Sequence, residues 1–65
     1  MMSLDEYLKA HNLTDEEFGE RIKRSRMQVF RYRNGRQIPR PAVMKRISEV
    51  TGGAVTANSF YGGGA

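Results

Sequence analysis

Thr14 and Ser25 are both good helix N-cap residues, and each is followed three positions later by a side chain able to close a capping box, Glu17 and Gln28. The 11 residues from one cap to the next leave room for about two turns of helix and a short connection. The stretch from Leu13 to Arg36 is therefore expected to fold as a short helix, a tight turn and a second short helix. The rest of the chain has to be arranged around that unit.

The helical period of about 100° per residue gives the directions of the side chains on the second of these helices, running from about Ser25 to Asn34. With Val29 taken as pointing inward, Ser25 and Tyr32 fall within roughly 60° of it, whereas Met27 and Arg31 lie roughly 160° away with Asn34 beside them. Val29 and Tyr32 can anchor the helix. Arg26, Met27 and Arg31 are left to project toward a partner.

The distribution of charge argues that the partner is a polyanion. Residues 1–20 carry six acids (Asp5, Glu6, Asp15, Glu16, Glu17, Glu20) against Lys9 alone. Residues 21–46 carry ten bases and no acid, and eight of the ten are arginine, whose planar fork matches phosphate and guanine edges. A face that is merely solvated would mix the signs. The net charge of +4 and a pI near 10.0 agree with this reading but say less than the segregation does.

Several classes of function fit poorly. Sixty-five residues make one small domain, with little room for a cleft that has its own catalytic walls. His11, the lone histidine, has no nucleophile in a fixed relation to it, and no phosphate-cradling glycine loop is present. Without cysteine there is neither a disulfide framework nor a thiolate metal site, so no cofactor, metal or small-molecule ligand is expected. No apolar run approaches the ~18 residues of a membrane span, and the early acids do not suit a signal peptide. The expected setting is the cytoplasm.

The first helix is expected from about Leu4 to His11, capped by Ser3 with Glu6 closing the box, stapled by Met2 and Tyr7, and ended by Asn12 in a left-handed conformation. The second has its own staple, Leu13 and Phe18, and a mid-helix glycine, Gly19, that admits the close approach of the following helix. Asn34 and Gly35 close the third. Pro41 suits the first turn of a fourth, on which Val43, Ile47 and Val50, widened by Met44, form a stripe that stops at Thr51-Gly52-Gly53. The core should comprise Leu4, Leu8, Leu13, Phe18, Ile22, Val29, Tyr32, Ile38, Val43, Ile47 and Val50. Residues 54–61 fit a short strand or a helical turn, and the domain is expected over 1–61 with 62–65 a disordered glycine-rich tail.

The segments LTDEEFGERI, SRMQVFRYRNGR and IPRPAVMKRISEVTGGAV together resemble the helix-turn-helix proteins of the Cro and XRE type, the small phage repressors and their bacterial relatives. The resemblance implies an all-α, compact, four- to five-helix, lambda-repressor-like domain. It places Arg26, Met27 and Arg31 at base-reading positions and Ser25, Arg36 and Arg40 where relatives hold phosphates. Asp15 stands where the family usually has glutamine, and it would repel a phosphate unless an arginine pairs with it. Lys23 stands where the family prefers glycine with positive φ, which costs a lysine about 1 to 2 kcal/mol. Phe30 takes a position that is commonly small or polar.

The expected function is that of a sequence-specific repressor, a homodimer on double-stranded DNA in a bacterial cell, encoded by a phage, a prophage or the cell itself. Arg26, Met27, Gln28 and Arg31 would touch bases, with Gln28 divided equally between a base and the cap at Ser25. Thr14, Lys23, Arg24, Ser25, Asn34, Arg36 and Arg40 would touch the DNA backbone. The alternative is an antitoxin- or adaptor-like protein-interaction module that has kept the fold, suggested by Asp15, Lys23 and the exposed apolar candidates Met27 and Phe30.

Overall fold

The structure, a computed structural model, describes residues 2–61, which form five helices: α1 (Leu4–Ala10), α2 (Asp15–Ile22), α3 (Arg26–Arg33), α4 (Pro41–Val50) and α5 (Ala57–Tyr61). Among the described residues there is no strand, and 54–61 resolves as a turn followed by the short α5. The expected tail at 62–65 lies outside the described residues.

Local chemistry accounts for the helix ends. Ser3 and Thr14 close complete capping boxes: the Glu6 amide donates to Ser3 Oγ at 3.1 Å and the Ser3 amide to Glu6 Oε1 at 2.9 Å. Thr14 and Glu17 repeat the pair at 3.0 and 2.9 Å. At α3 the box is half made. The Gln28 amide donates to Ser25 Oγ at 3.3 Å, but the Gln28 side chain does not return the bond, so of the two uses open to that side chain the cap is not the one taken.

The first four helices end on a left-handed residue, Asn12 (φ 55°), Lys23 (φ 60°), Gly35 (φ 71°) and Gly52 (φ 64°). In each case the next amide reaches back to an orphan carbonyl: Leu13 to Leu8 at 2.9 Å, Arg24 to Gly19 at 2.8 Å, Arg36 to Arg31 at 2.8 Å and Gly53 to Ser48 at 2.8 Å. These are Schellman closures, which turn the chain sharply while leaving few unpaired backbone groups.

The core holds Leu4, Tyr7, Leu8, Phe18, Ile22, Val29, Tyr32, Val43, Ile47 and Val55, with Met44 also buried. Leu13 and Val50 pack against it half-buried. Ile38 does not belong to it. It is 47% exposed, while its neighbour Pro39 is buried, so the loop turns its proline inward and its isoleucine outward. Val55 takes a core place that periodicity did not assign, and Thr51 holds it there. The Thr51 hydroxyl donates to the Ile47 carbonyl at 2.8 Å and accepts from the Val55 amide at 3.1 Å. A hydrogen bond from the Met2 amide to the Ala54 carbonyl, 3.0 Å, brings the start of the chain against the same turn.

Candidate nucleic-acid interface

The α2–α3 pair is held by a contact that admits no side chain. A Cβ placed on Gly19 would stand 2.5 Å from the Arg24 carbonyl oxygen and 3.4 Å from Val29 Cγ2. The residue that comes nearest is thus in the turn, with α3 just behind it. Lys23 takes the left-handed conformation itself, and the backbone there carries the strain.

With Val29 and Tyr32 buried, α3 presents Arg26, Met27, Phe30, Arg31 and Asn34 outward. Met27 is 52% and Phe30 43% exposed, large values for apolar side chains on a helix with a buried face. Between Asp15, Arg26, Met27 and Phe30 lies an open groove of about 240 Å³. Gln28 is half-buried at the flank with its side chain unbonded to the cap.

The residues expected on the DNA backbone are exposed. Lys23, Arg24 and Ser25 are exposed in the turn, Arg36 and Arg40 in the loop after α3, and Thr14 at the start of α2. Thr14 and Ser25 accept amide hydrogens through their oxygens; the Thr14 hydroxyl also bonds the Glu17 carboxylate, whereas the Ser25 hydroxyl hydrogen is left to donate to an outside acceptor. Asn34 uses its side-chain amide to donate to the Phe30 carbonyl at 2.8 Å, so one of its two amide hydrogens is already held.

Arg33 has a different role, one that charge counting hides. Its guanidinium reaches Asp5 on α1 at 2.8 Å and Asp15 on α2 at 2.6 Å, with the side chain only 17% exposed. One arginine on α3 thereby ties all three N-terminal helices. Burial works against its charge, but Asp15 and Asp5 outweigh that and raise its pKa. Lys9, 3.0 Å away, and then Arg33 hold the Asp5 carboxyl below its ordinary value. Bonds from Ser3 and Thr14 do the same for Glu6 and Glu17. The departure at Asp15 is therefore compensated from within. Arg33 lies four residues after Val29, on the inward side of α3, and that spacing was the available signal. Arg46 is likewise engaged, donating to the Ile22 carbonyl at the end of α2 at 3.4 Å.

A family model described as Helix-turn-helix matches residues 4–56, most of the chain and all of α1 to α4. The chain belongs to the Cro and XRE type of helix-turn-helix family. For a helix-turn-helix domain the partner is DNA, the activity falls within transcriptional regulation, and the family is typically non-enzymatic. No significant match to this helix-turn-helix chain was found among curated proteins or solved structures. No helix among the described residues is long and apolar enough to cross a membrane.

Proposed function

We propose that this helix-turn-helix chain is a Cro-like repressor, acting in the bacterial cytoplasm as a homodimer that lays α3 in the major groove of a palindromic operator. The observation that carries this reading is the sorting of α3, where Val29 and Tyr32 are buried and Arg26, Met27 and Arg31 are exposed. Arg26 and Arg31 grip guanine O6 and N7, Met27 makes apolar contact, and the free Gln28 amide is available to adenine. Lys23, Arg24, Arg36 and Arg40, with Thr14, Ser25 and Asn34, hold phosphates on either side.

Dimerisation follows from the shortness of the helix. Eight residues of α3 reach few base pairs, and two copies about 34 Å apart double the site at a fixed spacing. The acting unit is residues 1–61. The adaptor reading loses two of its supports, since Arg33 pairs with Asp15 and Lys23 adopts the left-handed conformation that the turn requires.

Selection of preferred sequences from random duplexes by the full chain is the decisive experiment. A palindromic motif with half-sites one helical turn apart is the expected result. Recovery of no motif, with weak binding that only follows salt, sinks the reading.

A further inference from the structure

Lys9, Asp5, Arg33 and Asp15 form the ion pairs found among the described residues, and their charges cancel. Lys9 reaches Asp5 Oδ2 at 3.0 Å, while Arg33 reaches Asp5 Oδ1 at 2.8 Å and Asp15 Oδ1 at 2.6 Å. Asp5 thus has a second cation, and Asp15 has Arg33 alone. Asp15 opens α2 and lines the same groove as Arg26 and Met27, on the side that α3 turns to DNA. It makes no ion pair with Arg26 among the described residues, its Oδ1 being held by Arg33. An acid at this place opposes a polyanion in two ways. It repels phosphate, and it offers Arg26 an internal partner in place of the duplex.

We propose that Arg33 is a positioning residue for DNA binding: without touching the duplex, it keeps the Asp15 carboxylate from repelling phosphate and from capturing Arg26, and this rests on the reading of α3 as the DNA-facing helix. Both side chains are half-buried, and a short charge-assisted bond holds the acid on the inward side of the groove. The two ways in which an arginine can serve DNA binding differ in what they ask of residue 15. A guanidinium that bonds phosphate itself is missed whatever stands there. One that acts through Asp15 is missed only while the acid is present.

Arg33→Gln, Asp15→Asn and the double variant, each as the full chain, are compared with the parent for Kd on a random-sequence duplex between about 50 and 200 mM salt. Circular dichroism gives the melting range of each, and binding is measured below it. Arg33→Gln should raise Kd about eightfold at about 0.1 M salt and flatten the slope of log K against log salt by about 0.9, the equivalent of one phosphate contact. Asp15→Asn, in which Arg33 keeps its bonds to Asp5, should stay within about twofold of the parent, and adding it to Arg33→Gln should restore both Kd and slope to that range. A bridge that only fastens helices gives another pattern: Asp15→Asn weakens binding by itself and rescues nothing. That pattern overturns the proposal, and so does Asp15→Asn alone tightening binding about eightfold, because Arg33 then masks nothing. Either result leaves α3 as the DNA-facing helix. If Arg33→Gln does not fold, the Asp15→Asn comparison decides alone. A parent that shows no salt-dependent binding to any duplex removes both readings.

Discussion

Replacing Gly19 by alanine sets two effects of opposite sign against each other. Alanine is the better helix former by about 1 kcal/mol, so propensity alone makes Gly19→Ala stabilising. The added Cβ, however, would meet the Arg24 carbonyl oxygen at 2.5 Å and Val29 Cγ2 at 3.4 Å. An ordinary carbon–oxygen contact is about 3.3 Å, so the turn must retreat by roughly 0.8 Å. That turn is backbone, fixed by the 2.8 Å bond from the Arg24 amide to the Gly19 carbonyl and by left-handed Lys23, and it has no flexible end to yield. Overpacking of this kind costs about 1–3 kcal/mol, and the strained closure adds about 0.5–1.5 kcal/mol. The clash wins, with a net loss of about 2 kcal/mol and a fall in Tm of about 8–16 °C for a domain of this size. Thermal and urea unfolding followed by circular dichroism give the sign directly. Below the melting range, DNA binding should also weaken, since the retreat of the turn redirects α3. A Gly19→Ala protein that melts at or above the parent refutes the reasoning.

Lys23→Gly relieves the left-handed lysine and should raise stability by about 0.5–1 kcal/mol, read as a higher urea midpoint, while removing one charge and flattening the salt dependence of DNA binding. Val55→Ala, at a fully buried site, should cost about 2 kcal/mol in urea unfolding. Arg31→Ala should lower discrimination between operator and random duplex by about 1–3 kcal/mol in competition titrations, whereas Arg40→Ala should weaken both about equally. Asp5, Glu6 and Glu17 have folded-state pKa values below their ordinary 3.8, 4.5 and 4.5, so they contribute stability that is whole above those values and is lost as pH falls through the lower folded-state ones. Acid titration of stability should therefore show a loss beginning below about pH 4.5, and Asp5→Asn should make it shallower.

Most of the architecture was legible because its signals are local. Caps at Ser3, Thr14 and Ser25, left-handed ends at Asn12 and Gly35, and the apolar stripe on α4 each depend on residues within one turn of each other. Ile38 and Val55 show where such signals end. Neither belongs to a repeating pattern, so burial is decided by the path of a loop: Pro39 rather than Ile38 turns inward, and Thr51 draws Val55 under α4. On the candidate interface, the outward set of Arg26, Met27 and Arg31 followed from the helical period. The pairing of Arg33 with Asp5 and Asp15 spans 28 and 18 residues, and no local rule connects them. Gln28 was ambiguous because the same side chain suits a cap and a base, and the cap in the structure is half closed.

The division of labour on α3 bears on how such proteins acquire new targets. Val29, Tyr32 and Arg33 fasten the helix, and Arg26, Met27, Phe30 and Arg31 are left without structural duties among them. A library that randomises only those four positions should keep the scaffold folded while rewriting its preferred sequence. Transplanting a whole helix from a relative would remove the arginine that α1 and α2 depend on, so the exchangeable unit is one stripe of side chains.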